Sequence, residues 1–269
     1  MTSPHSGRSY LNEYISTTNF SKEELRFFED SYIDKLFDFN LDIGVKFLIS
    51  KIPRVVIDLN RDKKEIDPKM FFNFDNKDTS ETNKVISGIG LFPKLLGNNS
   101  IYKDKLDWLV FEKAIENVYD VWHSKLEDEI NETKKLFSEM VLLECHSMPS
   151  YDLNGYNLKD KIPEFVIGDL WGESSNKDIS NFISDFLKKE GFNVSKNVPY
   201  AGAYTLKQYG NFKSGVNAIQ LEIRKDLYLD EKKLTLKKDF SELKLTMKNL
   251  VKNLNNLLIE LNNYQKSAE

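Results

Sequence analysis

Cysteine and histidine are scarce in this 269-residue chain, which has one of the first and three of the second. A lone Cys145 excludes an internal disulfide and makes a reducing cytoplasm the simplest home. Any histidine-dependent chemistry must draw on His5, His123 and His146. No apolar run approaches the roughly 20 residues of a membrane span, and no basic segment followed by an apolar one opens the chain as a secretory signal would. A basic excess is missing too. The 38 Lys and Arg against 42 Asp and Glu leave a net charge of -4, which is no nucleic-acid footprint. There is no Gly-x-Ser-x-Gly elbow, and Gly88-Ile89-Gly90 is too short for a dinucleotide fingerprint and reads as a closely packed turn. With neither an internal repeat nor a low-complexity linker, the expectation is one domain over 1–269, with about 232–269 as a helical extension.

What is present centres on Val141-Leu142-Leu143-Glu144-Cys145-His146-Ser147-Met148-Pro149. An apolar run of strand character ends in polar side chains, and a proline stops it. In open α/β sheets ligands sit outside the carboxyl ends of strands. His146 is therefore placed either to bind a metal or to serve as a structural residue in a strand-to-loop turn. His5 lies among small polar residues near the start, where its ring is accessible or idle.

Elsewhere the periodicities mark elements. Ser21-Lys22-Glu23-Glu24 is a capping box. Phe28 to Phe37 has a helical face of Ile33, Leu36 and Phe37, with Asp30 and Asp34 four apart and so sharing a face. Val45–Ile49 and Arg54–Arg61 read as strands, the second with a β-branched core and a polar exit at Asp58, Asn60 and Arg61. That exit is either an anion site, since arginine grips carboxylates in two-pronged geometry, or a surface ion-pair network. Residues 62–84 read as a loop. Residues 105–137 are helical and carry His123, which caps or lines the core.

After the central strand come a loop over Ser147–Lys161, a strand and acidic turn over Pro163–Gly172, and an amphipathic helix from Asp178 to Glu190 capped by Gly191. Phe192-Asn193-Val194 begins another strand. Pro199–Thr205 is a small-residue loop in which backbone can approach a ligand. Asn217–Arg224 is a strand with Glu222 among apolar neighbours. Such a carboxylate is either neutralised by Arg224 or another cation, or is a tuned general base. One helix runs from Ser241 to Gln265, with an apolar stripe from Leu243 to Leu261.

Taken in order, several of these stretches resemble the N-formylglutamate amidohydrolase family. They are Ser3-Pro4-His5-Ser6-Gly7, Glu29–Asp34, Arg54–Arg61, Cys145-His146-Ser147-Met148-Pro149, Pro163–Asp169, and Gln220–Arg224 with Leu227–Glu231. The resemblance runs to about Glu231 and leaves the last helix outside it. It implies a zinc-exopeptidase-like α/β fold, three-layer α/β/α with a mixed, largely parallel central sheet, plus the long C-terminal helix. It implies a small-molecule N-acyl amino acid substrate and the hydrolysis of N-formyl-L-glutamate to glutamate and formate, a last step in histidine degradation. One zinc ion would be held by His5, His146 and a carboxylate, Asp30 first, then Asp34 and Glu29. Glu222 would act as general base. Arg54, Asn60 and Arg61 would clamp the substrate carboxylate and stabilise the oxyanion, with Arg54 catalytic as well as binding, and Tyr204 would close over the substrate.

Two readings compete with this one. A cysteine or serine hydrolase would use Cys145 or Ser147 beside His146. A catalytically silent relative would bind carboxylated ligands through the same residues. An amidase for a different N-acyl amino acid is a third outcome within the same chemistry.

Overall fold

The computed structural model describes residues 1–39, 45–75, 78–151 and 162–268. In chain order its principal strands are β1 (Thr2–Ser3), β2 (Leu48–Ile49), β3 (Met140–Met148), β4 (Phe165–Gly168), β5 (Val194–Lys196) and β6 (Val216–Arg224). The helices used below are α1 (Ile33–Leu36), α2 (Trp108–Ala114), α3 (Val121–Leu136), α4 (Lys177–Lys189), α5 (Tyr204–Tyr209) and α6 (Phe240–Ala268). Contacts divide the chain into two units. One comprises Met1–Ser3, Tyr32–Leu48 and Glu129–Glu269; the other comprises Pro4–Ser31 and Ile49–Asp128.

The first unit is built on one mixed, largely parallel sheet in the order β2-β1-β3-β6-β4-β5. β1 and β6 both run parallel to β3, β4 is antiparallel to β6, and β5 is parallel to β4. The register pairs Glu144 with Gln220 and His146 with Glu222. Alternate residues of a strand point to opposite faces, so the two long strands sort their side chains sharply. Leu143, Cys145, Ile219, Leu221 and Ile223 enter a core with Phe165 and Ile167 of β4. Against them lie Ile179, Ile183 and Leu187 of α4, Leu243, Met247, Leu250 and Leu254 of α6, and Ile33 and Leu36 of α1. Each fully buried aliphatic side chain of this kind contributes about 1.5–3 kcal/mol. The opposite face carries Glu144, His146, Gln220 and Glu222, all buried.

Several elements follow local rules. α4 starts where the Asn176 side chain accepts from Asp178 N, and Gly191 stands just past its end at φ 92°. α6 buries Leu243, Met247, Leu250, Val251 and Leu254 of its expected stripe, while Leu261 at the far end is exposed, and an α/β fold with a C-terminal helix is as anticipated. The capping box at Ser21 forms in both directions.

Other expectations are overturned. Arg54–Arg61 is not a strand but a series of turns, in which Val56 N and Ile57 N both bond back to Pro53 O. Val55, Ile57 and Leu59 are buried as a strand's residues would be, but no ladder holds them. Phe28–Phe37 is not one helix either. The chain leaves helical geometry after Phe28, passes through Tyr32 at φ 66° and resumes at Ile33. Asp30 and Asp34 therefore do not share a helical face. Val45–Ile49 contributes only Leu48–Ile49 to the sheet. Residues 62–84 hold a short ladder at Phe71–Phe72 and a helical turn at Asn83–Ile86. The helical run from 105 to 137 is interrupted by a π-helical stretch, Ile115–Asp120, between α2 and α3. Residues 152–161 of the expected loop lie outside the described residues. Among the described residues no helix is long and apolar enough to cross a membrane.

Candidate functional site

In the second unit the chain leaves β1 through Pro4 and places His5 in a turn. Gly7 is required there: a Cβ would stand 2.2 Å from Ile52 O. Asp30 N bonds to His5 O at 3.0 Å, which ties the break after Phe28 to the histidine turn. His5 Nδ1 lies 3.5 Å from Asp30 Oδ2, and His5 Nε2 lies 2.7 Å from Asp58 Oδ1. All three side chains are buried. Asp58 engages Nε2, so Nδ1 is the ring nitrogen presented toward Asp30.

Asp58 is also where the suspected anion clamp converges. Arg54 Nη2 donates to Asp58 Oδ2 at 2.9 Å, Arg61 Nη2 stands 3.8 Å from the same oxygen, and Asn60 N donates to Oδ1 at 2.9 Å. Burial acts to raise the Asp58 carboxyl, but its interactions with His5, Arg61 and Arg54 outweigh it and hold the group well below the usual carboxylate range. Arg61 is further committed, donating from Nε to Ile89 O at 2.8 Å and from Nη1 to Asn60 O at 3.0 Å. Arg54 retains 24% side-chain exposure and is the guanidinium of the pair with a solvent-facing part. Lys84 had no sequence signal. Desolvation, then Arg61 and Arg54, push its ammonium below the usual lysine range, so it belongs to the same positive group.

The other acidic candidates are occupied differently. Glu29 accepts from Tyr10 OH at 3.0 Å and Ser31 Oγ at 3.1 Å, with Arg26 at 3.5 Å. Burial pushes its carboxyl up, opposed by Arg26 and by these hydrogen bonds. Asp34 sits in the first turn of α1. His123 lies half-buried on α3 with Nε2 3.1 Å from Leu59 O and its ring against Tyr119.

In the first unit His146 and Glu222 stand opposite each other on β3 and β6. Glu144 Oε2 lies 3.1 Å from His146 Nε2, and Gln220 Nε2 donates to Glu222 Oε1 at 2.9 Å. Arg224, a suggested partner of Glu222, is instead engaged by Asp226 at 2.6 Å and Ile162 O at 3.0 Å. Gly168 of β4 lies opposite Gln220, on that same polar face. Its lack of a side chain admits the Ala201-Gly202 backbone, which a Cβ would meet at 2.7 Å. Tyr204, in the same segment, opens α5 and is half-buried.

The nucleophilic alternatives do not survive this geometry. Cys145 and Ser147 flank His146 on the strand, so both point to the other face of the sheet. Cys145 is in the apolar core, and burial pushes its thiol well above the usual range.

Among the described residues, His5, Asp30 and His146 form a group that could hold a metal ion, one ligand atom from each lying within 4.8 Å of the others. The donor set fits a divalent cation: two imidazoles and a carboxylate are the three-ligand pattern of catalytic zinc sites. Fold and side chains thus define an α/β protein with a buried two-histidine, one-carboxylate group. The chain belongs to the N-formylglutamate amidohydrolase family, whose sequence model matches residues 1–229.

Two relatives are N-formylglutamate deformylases. That of Pseudomonas putida is 24% identical over 215 residues, covering 78% of this chain and 74% of the relative. That of Pseudomonas aeruginosa is 25% identical with the same coverage. The crystal structure of N-formylglutamate amidohydrolase from Ralstonia eutropha superposes with a TM-score of 0.91 and 26% identity, over 96% of this chain and 93% of that one. A gene product of Agrobacterium tumefaciens shares the fold at 16% identity and a TM-score of 0.60, over 94% of this chain and 90% of that one.

Proposed function

We propose that this chain is a zinc-dependent amidohydrolase that converts N-formyl-L-glutamate and water to L-glutamate and formate. The observation that carries the reading is the His5–Asp30–His146 group in a chain matched from 1 to 229 by the family. A divalent ion held there would supply Lewis acidity, making water more acidic and polarising the formyl carbonyl.

The protein's own groups do the rest. Arg54, with Asn60 and Arg61 beside it, binds the substrate carboxylate, and Arg54 also faces the charge that develops on the carbonyl oxygen. Glu222 takes the proton of the attacking water and passes it to the departing amine nitrogen, so that the C–N bond breaks as the amine leaves neutral. Gln220 holds one oxygen of Glu222 during that exchange. Tyr204 closes over the bound substrate. A cytoplasmic place in histidine degradation is the setting that this substrate implies.

The test is a panel of N-formyl and N-acyl amino acids assayed with zinc and after full chelation. Selective turnover of N-formyl-L-glutamate, lost on chelation and restored by zinc, is the expected result. Undiminished activity in the chelated protein would overturn the metal assignment. Turnover of only another member of the panel would overturn the substrate.

A further inference from the structure

Glu144 is a carboxylate with 1% exposure in the middle of a sheet strand. Burying such a group is costly unless it is partnered. Its position shows what the partner is for. Residues two apart on a strand share a face, so Glu144 and His146 of β3 lie side by side on the polar face. Gln220 and Glu222 of β6 stand directly opposite them. The four side chains form two parallel steps. In one, Gln220 Nε2 donates to Glu222 Oε1 at 2.9 Å. In the other, Glu144 Oε2 lies 3.1 Å from His146 Nε2.

We propose that Glu144 is the positioning residue for His146: it holds the proton on Nε2, fixes the ring plane, and thereby selects Nδ1 as the metal-ligating nitrogen. A ring nitrogen ligates through the lone pair that its neighbour's hydrogen bond leaves in place, so the carboxylate on Nε2 decides the tautomer. His5 is held the same way, by Asp58 on Nε2 at 2.7 Å. Strand geometry makes the Glu144 version rigid. Carboxylate and ring rise from one backbone segment, hydrogen-bonded along its length to β6, so the alignment needs no loop to order. Gln220 is occupied with Glu222, which leaves the two steps with separate tasks: one sets a ligand, the other sets the base.

The inference rests on the proposed metal site, and its experiment separates the two. With three histidines in the chain, selective 15N-histidine labelling gives three ring systems to assign. At a pH where the ring is neutral, the apo wild-type protein should show His146 as the Nε2–H tautomer, and Glu144→Ala should lose that preference while His5 and His123 keep theirs. Zinc affinity, measured by competition with a chromophoric chelator, should weaken about 10- to 100-fold in Glu144→Ala. Glu144→Gln should lose less, and Glu144→Asp should recover part of the loss. Wild-type His146 found as the Nδ1–H tautomer would overturn the inference without any variant. So would zinc binding in Glu144→Ala and Glu144→Gln within twofold of the wild type, and that result would leave the metal site standing. Absence of zinc binding by the wild-type chain would overturn the metal reading itself, and this inference with it.

Discussion

His5 Nε2 and Asp58 Oδ1 lie 2.7 Å apart, both buried, although 53 residues separate them in the chain. The contact joins a histidine turn near the chain start to the centre of the Arg54–Arg61 segment. One Asp58 oxygen receives His5 and Asn60 N; the other faces the two arginines. Asp58 therefore sets the ring of His5 and the direction of Arg54 together. Asp58→Asn removes the charge that both cations face. Breaking a buried ion pair from one side costs about 3–5 kcal/mol, so thermal or urea unfolding should show a loss of that size. Zinc affinity should fall about 10- to 100-fold in the fraction that folds.

Glu222→Gln keeps the shape of the side chain and removes the proposed base. Turnover of N-formyl-L-glutamate should drop about 100- to 10,000-fold, while zinc content by metal analysis stays at the wild-type level. Near-wild-type turnover would exclude Glu222 from proton transfer.

Gly7→Ala tests the turn that carries His5. The new methyl would meet the Ile52 carbonyl oxygen at 2.2 Å, a backbone atom that cannot swing aside. Overpacking of this kind costs about 1–3 kcal/mol. The expected phenotype is a lowered Tm with weakened zinc binding. A variant as stable as the wild type would show that the turn tolerates displacement.

Cys145 should be inert in the folded protein. It is fully buried in the core, and burial raises its thiol. A thiol-specific chromogenic reagent should find no reactive group under native conditions and one per chain in denaturant. Cys145→Ala should retain turnover. Rapid native labelling would contradict its placement.

Acid stability should depend on Asp169, whose carboxylate accepts from Asn197 Nδ2 at 2.8 Å and Gly172 N at 2.9 Å beside Lys196. Burial acts to raise it, but the Asn197 and Ser180 hydrogen bonds, then Lys196 and Gly172 N, outweigh burial and hold it below its ordinary 3.8. A depressed folded-state pKa favours the ionised native form. Its stabilisation is therefore complete above pH 3.8 and is lost as pH falls through the folded value. Asp169→Asn should be less stable than the wild type at neutral pH. The gap, measured by urea unfolding as pH is lowered, should close below pH 3.8. A gap independent of pH would mean that packing, not charge, is what Asp169 contributes.

The elements legible in the sequence were those whose local rules agree with their surroundings. β3, β6, α4 and α6 carry a periodicity or a cap that one strand or helix can satisfy alone, and each formed where that pattern lay. The grouping of His5, Asp30 and His146 was expected from the resemblance that the ordered motifs carry, and the three do form a group that could hold a metal ion. The Arg54–Arg61 segment was not. Its β-branched residues report burial, which a strand and a set of turns can supply equally, and only the bonds back to Pro53 O distinguish them. Asp58 carried no signal as a partner of His5, and Lys84 none as a neighbour of Arg54, because nothing in a sequence records which charge another will meet. The sequence by itself determined the alternation that sends Cys145 to the core and His146 to the polar face. Only the tertiary structure decided which oxygen meets which ring nitrogen, since register and long-range turns place side chains that the local chain leaves free to rotate.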